Sequence, residues 1–178
     1  LHNYFLGIFL VRVKNLNLKK DRKMDTVNKI PSHSKDVEDF YYTKSLVDHH
    51  KLFIGDYTYG VPQISINRAG GEIHIGKFCS MANGTSLIIN AEHRSDWITT
   101  YPFAKLKSDW PNAGMVDVDS SIPFRGHINI GNDVWIGKGV TIFGGANIGD
   151  GAIIGANTTV AGTVAPYAIV VGNPAELS

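Results

Sequence analysis

The sequence is sparing with several features, and each scarcity excludes something. Its 178 residues hold one cysteine, Cys79, so there is no internal disulfide framework, and the chain suits a reducing, cytoplasmic compartment. Neither sign of charge dominates. The 17 Lys and Arg stand against 16 Asp and Glu, which argues against nucleic acid or an anionic membrane as the main partner. No stretch reaches the roughly 18 apolar residues of a membrane-spanning helix. The opening LHNYFLGIFLVRV is too short, and Arg12 and Lys14 interrupt it. No small-residue cleavage site follows it, which argues against a signal peptide.

What the chain does hold, from Ile130 to about Val164, is a period of six. Ile130, Ile136, Ile142, Ile148, Ile154 and Val160 keep one unbroken register. The next position is small at Gly131, Gly137, Gly149, Gly155 and Ala161, and a second apolar set follows at Val134, Val140, Ala146, Ala152, Thr158 and Val164. Six fits neither the 3.6-residue period of a helix nor the alternation of a sheet. It predicts a parallel β-helix, in which each hexapeptide is a short strand plus a corner and the β-branched residues stack inside. The 19 glycines then belong to corners rather than to disorder.

The repeat places the other parts of the chain. Residues 1–50 carry no period and read as an irregular N-terminal cap, with a capping pattern at Ser34 to Val37 feeding a short helix. The β-helix domain covers 51–175 and begins at Ile54-Gly55. Ile75, Met81 and Leu87 are also six apart. From Asn90 to His127 the register fails, in a segment with Trp97, Trp110, Tyr101, Phe103 and the prolines 102, 111 and 123. A long unstructured stretch between two secure repeats reads as a functional excursion loop, 90–127.

His93 lies three residues into that loop. An imidazole anchored by rigid scaffold yet open to solvent suits a general base near neutral pH, and it equally suits a structural hydrogen bond. His74 sits in the strand IHI pointing outward. His127 precedes the resumed repeat, with the roles of ligand, acid–base partner and strand-edge residue all open, and His49 and His50 form an exposed pair. The spacing of His74, His93 and His127 speaks against zinc, so no metal is expected. Trp135 faces outward, either at a subunit interface or stacked on a ligand. Tyr57 and Tyr59 either offer hydroxyls to an acceptor or pack on the cap. Asn132 and Asp133 read as corner residues, and Cys79 as buried filler.

The strings IGKFCSMANGT, EHRSDWITTYPF, INIGNDVWIGKGVTI and PYAIVVGNPA, in that order, closely resemble the hexapeptide-repeat acyltransferases. Within them the chain looks most like the xenobiotic acetyltransferase branch, which includes streptogramin and chloramphenicol acetyltransferases, together with its sugar- and polysaccharide-acetylating relatives. The resemblance covers about residues 52–175. It implies a left-handed parallel β-helix, a homotrimer with active sites between subunits, and acetyl-CoA as donor. It makes His93 the catalytic base and puts Trp135 in the cleft near the thioester. CoA would run along Gly137, Lys138, Gly144, Gly145, Ala156, Ala161 and Gly162. Tyr57 and Tyr59 match acceptor-facing positions, and Asp96 is counted with them.

Three departures qualify the match. Ala161-Gly162 stands where the family carries Thr-Lys, so that either Lys138 meets the CoA phosphates in its place or CoA is held more weakly. The chain closes at GNPAELS, where relatives continue with a basic segment and a C-terminal helix. The segment between GDYTYG and IHIGKF lacks an insertion common in drug acetyltransferases, which favours a sugar or polysaccharide precursor as acceptor. Antibiotic acetylation is the alternative, ahead of a γ-type carbonic anhydrase or a non-catalytic scaffold on the same coil.

Overall fold

The computed structural model describes residues 9–10, 42–46, 50–66, 70–90, 92–101, 103, 109–110 and 123–178. Most of the expected cap, including the Ser34–Val37 capping pattern, lies outside these residues, as do His49, Pro102 and Pro111.

The described chain forms three five-stranded sheets. The first contains β2 (Leu52–Ile54), β4 (Ile73–Ile75), β7 (Ile128–Ile130), β10 (Asn147–Ile148) and β13 (Thr163–Val164). The second contains β5 (Ser80–Met81), β8 (Trp135–Ile136), β11 (Ile153–Ile154), β14 (Ile169–Val171) and β15 (Glu176–Leu177). The third contains β1 (Phe9–Leu10), β3 (Gln63–Ile66), β6 (Ser86–Ile89), β9 (Thr141–Phe143) and β12 (Thr159–Val160). From β4 to β14 the chain visits the sheets in strict rotation. All pairings are parallel except those of β1 with β3 and β14 with β15.

The register explains the six-residue period. β7 pairs with β10, β8 with β11 and β9 with β12 at an offset of 18 residues, so Ile130 lies over Ile148, Ile136 over Ile154 and Ile142 over Val160. From β10 to β13 and from β11 to β14 the offset shortens to 16, which seats Val164 over Ile148. Each aliphatic therefore stacks on its equivalent in three columns, one per sheet. Every member of both apolar sets is at most 5% exposed, including Thr158. At about 1.5–3 kcal/mol for each fully buried aliphatic, these columns are the main source of stability. The buried threonines are satisfied locally. Thr58 Oγ1 donates to Gly76 O at 2.7 Å and Thr85 Oγ1 to Ala82 O at 2.8 Å, while Thr158 Oγ1 accepts from Gly172 N–H at 3.2 Å.

The corner between the first and second sheets repeats one backbone device. Tyr57, Phe78, Asp133, Gly151 and Tyr167 all occupy the left-handed region there, with φ between 56° and 69°. The expected corner role of Asn132 and Asp133 is seen directly. Asn132 Oδ1 accepts from Lys77 N–H at 2.9 Å, and Asn132 N–H donates to Asp150 Oδ1 at 2.6 Å. Cys79 is fully buried, and its thiol donates to Gly131 O at 3.1 Å. Burial pushes the Cys79 thiol up from its ordinary pKa, so it is held protonated.

Across the excursion the offset becomes 55 residues, and it is the same in all three sheets: Ile73 to Ile128, Ser80 to Trp135, and Ser86 to Thr141. The coil thus resumes in the register it left.

Candidate active site

The excursion leaves and returns at one corner, between the third and first sheets. At the departing root, Asn90 is fully buried and left-handed at φ 57°, and its Nδ2 donates to Gly70 O at 2.5 Å. At the returning root, His127 is held from both sides. Its Nδ1 accepts from Glu72 N–H at 3.0 Å, and its carbonyl accepts from Gly145 N–H at 2.9 Å. Gly145 is required here. With φ 90°, a Cβ at that position would sit 2.6 Å from Arg125 O.

His93 stands just beyond the departing root, exposed to solvent. Its Nδ1 lies 2.6 Å from the carbonyl oxygen of Thr100. A carbonyl can only accept, so Nδ1 carries the proton, and Nε2 of the neutral ring keeps a lone pair. That is the tautomer a general base needs. Asp96 is turned to Arg94, whose Nε donates to Asp96 Oδ1 at 2.8 Å while its Nη2 pairs with Oδ2. The hydrogen bond from Arg94 holds the Asp96 carboxyl below the ordinary carboxylate range. Glu92 Oε2 is buried with no hydrogen-bond partner, as is Asn90 Oδ1.

The other candidates divide among three places. Gly137, Lys138 and Ala156 share the corner between the second and third sheets, where Gly137 N–H donates to Ile154 O and Asn157 N–H to Lys138 O. Gly144, Gly145, Ala161 and Gly162 lie at the corner from which the excursion springs, so the two groups flank the third sheet. Ala161 and Gly162 also line a hollow of about 340 Å³ with Pro174, Ala175 and Leu177. Trp135 is 58% exposed on the outer face of the second sheet. Tyr57 lies at the remaining corner, stacked on Phe78 at 5.2 Å and edge-on to Tyr42 at 5.7 Å. Tyr59 bridges Tyr42 and Ser80 through its backbone. Within one chain, therefore, Tyr57 and His93 occupy different corners.

Two other histidines meet outside this set. His74 stacks on Phe53 at 4.7 Å, its Nε2 lies 3.0 Å from Glu72 Oε2, and its ring centroid is 6.4 Å from that of His127. His127 thus serves as an anchor for the loop's return. Among the described residues no group of three or more His, Cys, Asp and Glu is placed to hold a metal ion. The residue that sequence reasoning could not name is Thr100, because it acts through its main-chain oxygen and its side chain carries no signal.

Comparison with known proteins bears on this arrangement. The family model described as bacterial transferase hexapeptide (six repeats) matches residues 127–162. A probable macrolide acetyltransferase of Lysinibacillus sphaericus is 44% identical over 145 residues, which is 81% of this chain and 69% of that protein. The chain belongs to the hexapeptide-repeat acetyltransferases. Another member of that family, a chloramphenicol acetyltransferase of Klebsiella aerogenes, is 41% identical over 104 residues, 57% of this chain. This acetyltransferase chain spans about half of that relative's length, 48%. Among solved structures, a maltose O-acetyltransferase from Clostridium difficile 630 superposes with a TM-score of 0.53 at 26% identity, covering 72% of this chain and 58% of that one.

Proposed function

We propose that this acetyltransferase moves the acetyl group of acetyl-CoA directly onto a hydroxyl or amine of a small-molecule acceptor, with His93 as general base. The observation that carries the reading is the bond from His93 Nδ1 to Thr100 O, which leaves Nε2 able to take a proton. Nε2 removes the proton of the acceptor hydroxyl as its oxygen attacks the thioester carbonyl carbon. The carbon–sulfur bond then breaks, and the imidazolium returns its proton to the departing thiolate, giving acetylated acceptor and CoA. A positioned base of this kind contributes roughly 10²–10⁴-fold.

The scaffold in this reading is a left-handed parallel β-helix assembled as a homotrimer. Subunit contact would close the distance between His93 and the acceptor-side Tyr57 and Tyr59, and would cover the exposed indole of Trp135. CoA lies along the two corners flanking the third sheet, with Lys138 as its cation. The attack places negative charge on the thioester carbonyl oxygen. The N–H groups of Gly137, Gly144 and Gly145 already donate to Ile154, Ile88 and His127 carbonyls, which leaves other donors to stabilise it.

The higher identity of the antibiotic-modifying relatives gives weight to a hydroxyl-bearing antibiotic as acceptor. The structural neighbour named for maltose, together with the short GDYTYG-to-IHIGKF segment, keeps a sugar as the second reading. The test is release of CoA thiol with a macrolide, chloramphenicol, a streptogramin and amino or nucleotide sugars in parallel. His93→Ala should lower the turnover at least a hundredfold while calorimetric CoA binding persists. Near-full activity in that variant would remove His93 as the base.

A further inference from the structure

We propose that Arg94 is a positioning residue: by gripping Asp96 and Trp97 it folds the exposed turn back so that the Thr100 carbonyl reaches His93. The proposal rests on the reading of His93 as general base.

The need for such a device follows from the surroundings of the turn. Residues 95–101 are all exposed, so no buried apolar columns hold them. Yet the working tautomer of His93 depends on an oxygen seven residues further along the same turn. Inside the turn, Arg94 contacts both Asp96 and Trp97. Its Nε and Nη2 take both oxygens of Asp96, and its guanidinium lies 5.1 Å from the Trp97 ring centroid. A planar fork that pairs a carboxylate through two nitrogens and also stacks on an indole is specific to arginine. Lysine, a compact point charge, supplies neither geometry. The Asp96 carboxylate is occupied by this pairing, which gives it a role distinct from contact with the acceptor.

Magnitudes separate this role from a merely structural one. An exposed ion pair adds little to global stability, so its loss should leave the melting temperature where it is. Misplacing a catalytic group by about 1 Å, in contrast, can cost up to about 10²-fold in rate. Arg94 should therefore matter to kcat and to the state of the imidazole, and hardly to folding.

The experiment uses the full chain with histidine labelled in nitrogen-15, alongside steady-state kinetics on an acceptor that the wild-type protein acetylates. Arg94→Met, which keeps an apolar stem over Trp97, should lower kcat about tenfold or more. KM for acetyl-CoA and Tm should stay unchanged, and part of the His93 proton signal should move from Nδ1 to Nε2. Arg94→Lys should not restore the rate. Adding Asp96→Asn to Arg94→Met should cost nothing further, because the two act as one contact. An unchanged His93 tautomer in Arg94→Met overturns the proposal, whether or not kcat falls. If His93→Ala instead keeps its activity, the base assignment fails, and the tautomer measurement still reports on the staple by itself.

Discussion

The coil and the excursion solve opposite problems with the same chain. Between Ile128 and Val171, parallel ladders and three columns of buried aliphatics fix every strand. Around His93, a few side-chain and carbonyl contacts in an exposed turn take the place of the ladder. Redundancy makes the first region rigid: Ile130, Ile136, Ile142, Ile148 and Ile154 each have an apolar partner in register on both sides. In the second, one hydrogen bond sets the tautomer of the His93 ring. Stability and activity should accordingly respond to substitutions in different places.

The sharpest contrast comes from the column of the second sheet. Ile136 is fully buried and sits in register with Met81 and Ile154. Ile136→Ala should cost about 2–5 kcal/mol, read in urea unfolding, with kcat per folded molecule little altered. A loss of rate without a loss of stability would show that coil and loop are not separable in this way. Gly145→Ala tests the junction. The left-handed backbone alone costs about 1–3 kcal/mol, and the new methyl would press on Arg125 O. Stability and turnover should fall together, because the returning root is shared by both regions. Tm falling with turnover intact would show that the return limb does not shape the site. Cys79→Ala should do least, about 1 kcal/mol as a small buried truncation, with turnover unchanged. Thiol reagents should leave wild-type Cys79 unmodified while the chain is folded.

The Arg94–Asp96 staple also sets an expectation for pH. The Asp96 carboxyl titrates below its ordinary value because Arg94 bonds its charged form. Its contribution is therefore complete above the unfolded carboxylate value of about 3.9 and is lost as pH falls through the lowered one. The staple should stay formed through neutral assay conditions, and a change in rate near neutrality belongs to another group.

How much was legible in the sequence follows from what each residue acts through. The columns were readable because stacked side chains must repeat: Ile130, Ile136 and Ile142 announce three sheets by spacing alone. Cys79 was readable from its phase within FCSM. The break at Asn90 was readable as a failure of the period, and it pointed to His93. The orienting partner of His93 was not readable, since any residue at position 100 supplies the same carbonyl. Nor was the role of His127 as an anchor, which depends on Glu72 N–H, a backbone group 55 residues away. Asp96 matched an acceptor-facing position by resemblance alone, and its bond to Arg94 two residues back is one that no spacing announced.

The constant 55-residue offset across three sheets has a consequence for how such proteins diversify. Because the coil closes over the excursion without a change of register, the loop behaves as a graft on an indifferent stock. Its length and sequence are set by whatever it must touch, and the strands below impose no count on it. Selection can then rewrite the excursion while the coil goes on folding as before. The two roots, at Asn90 and His127, are the points where any such transplant would have to take.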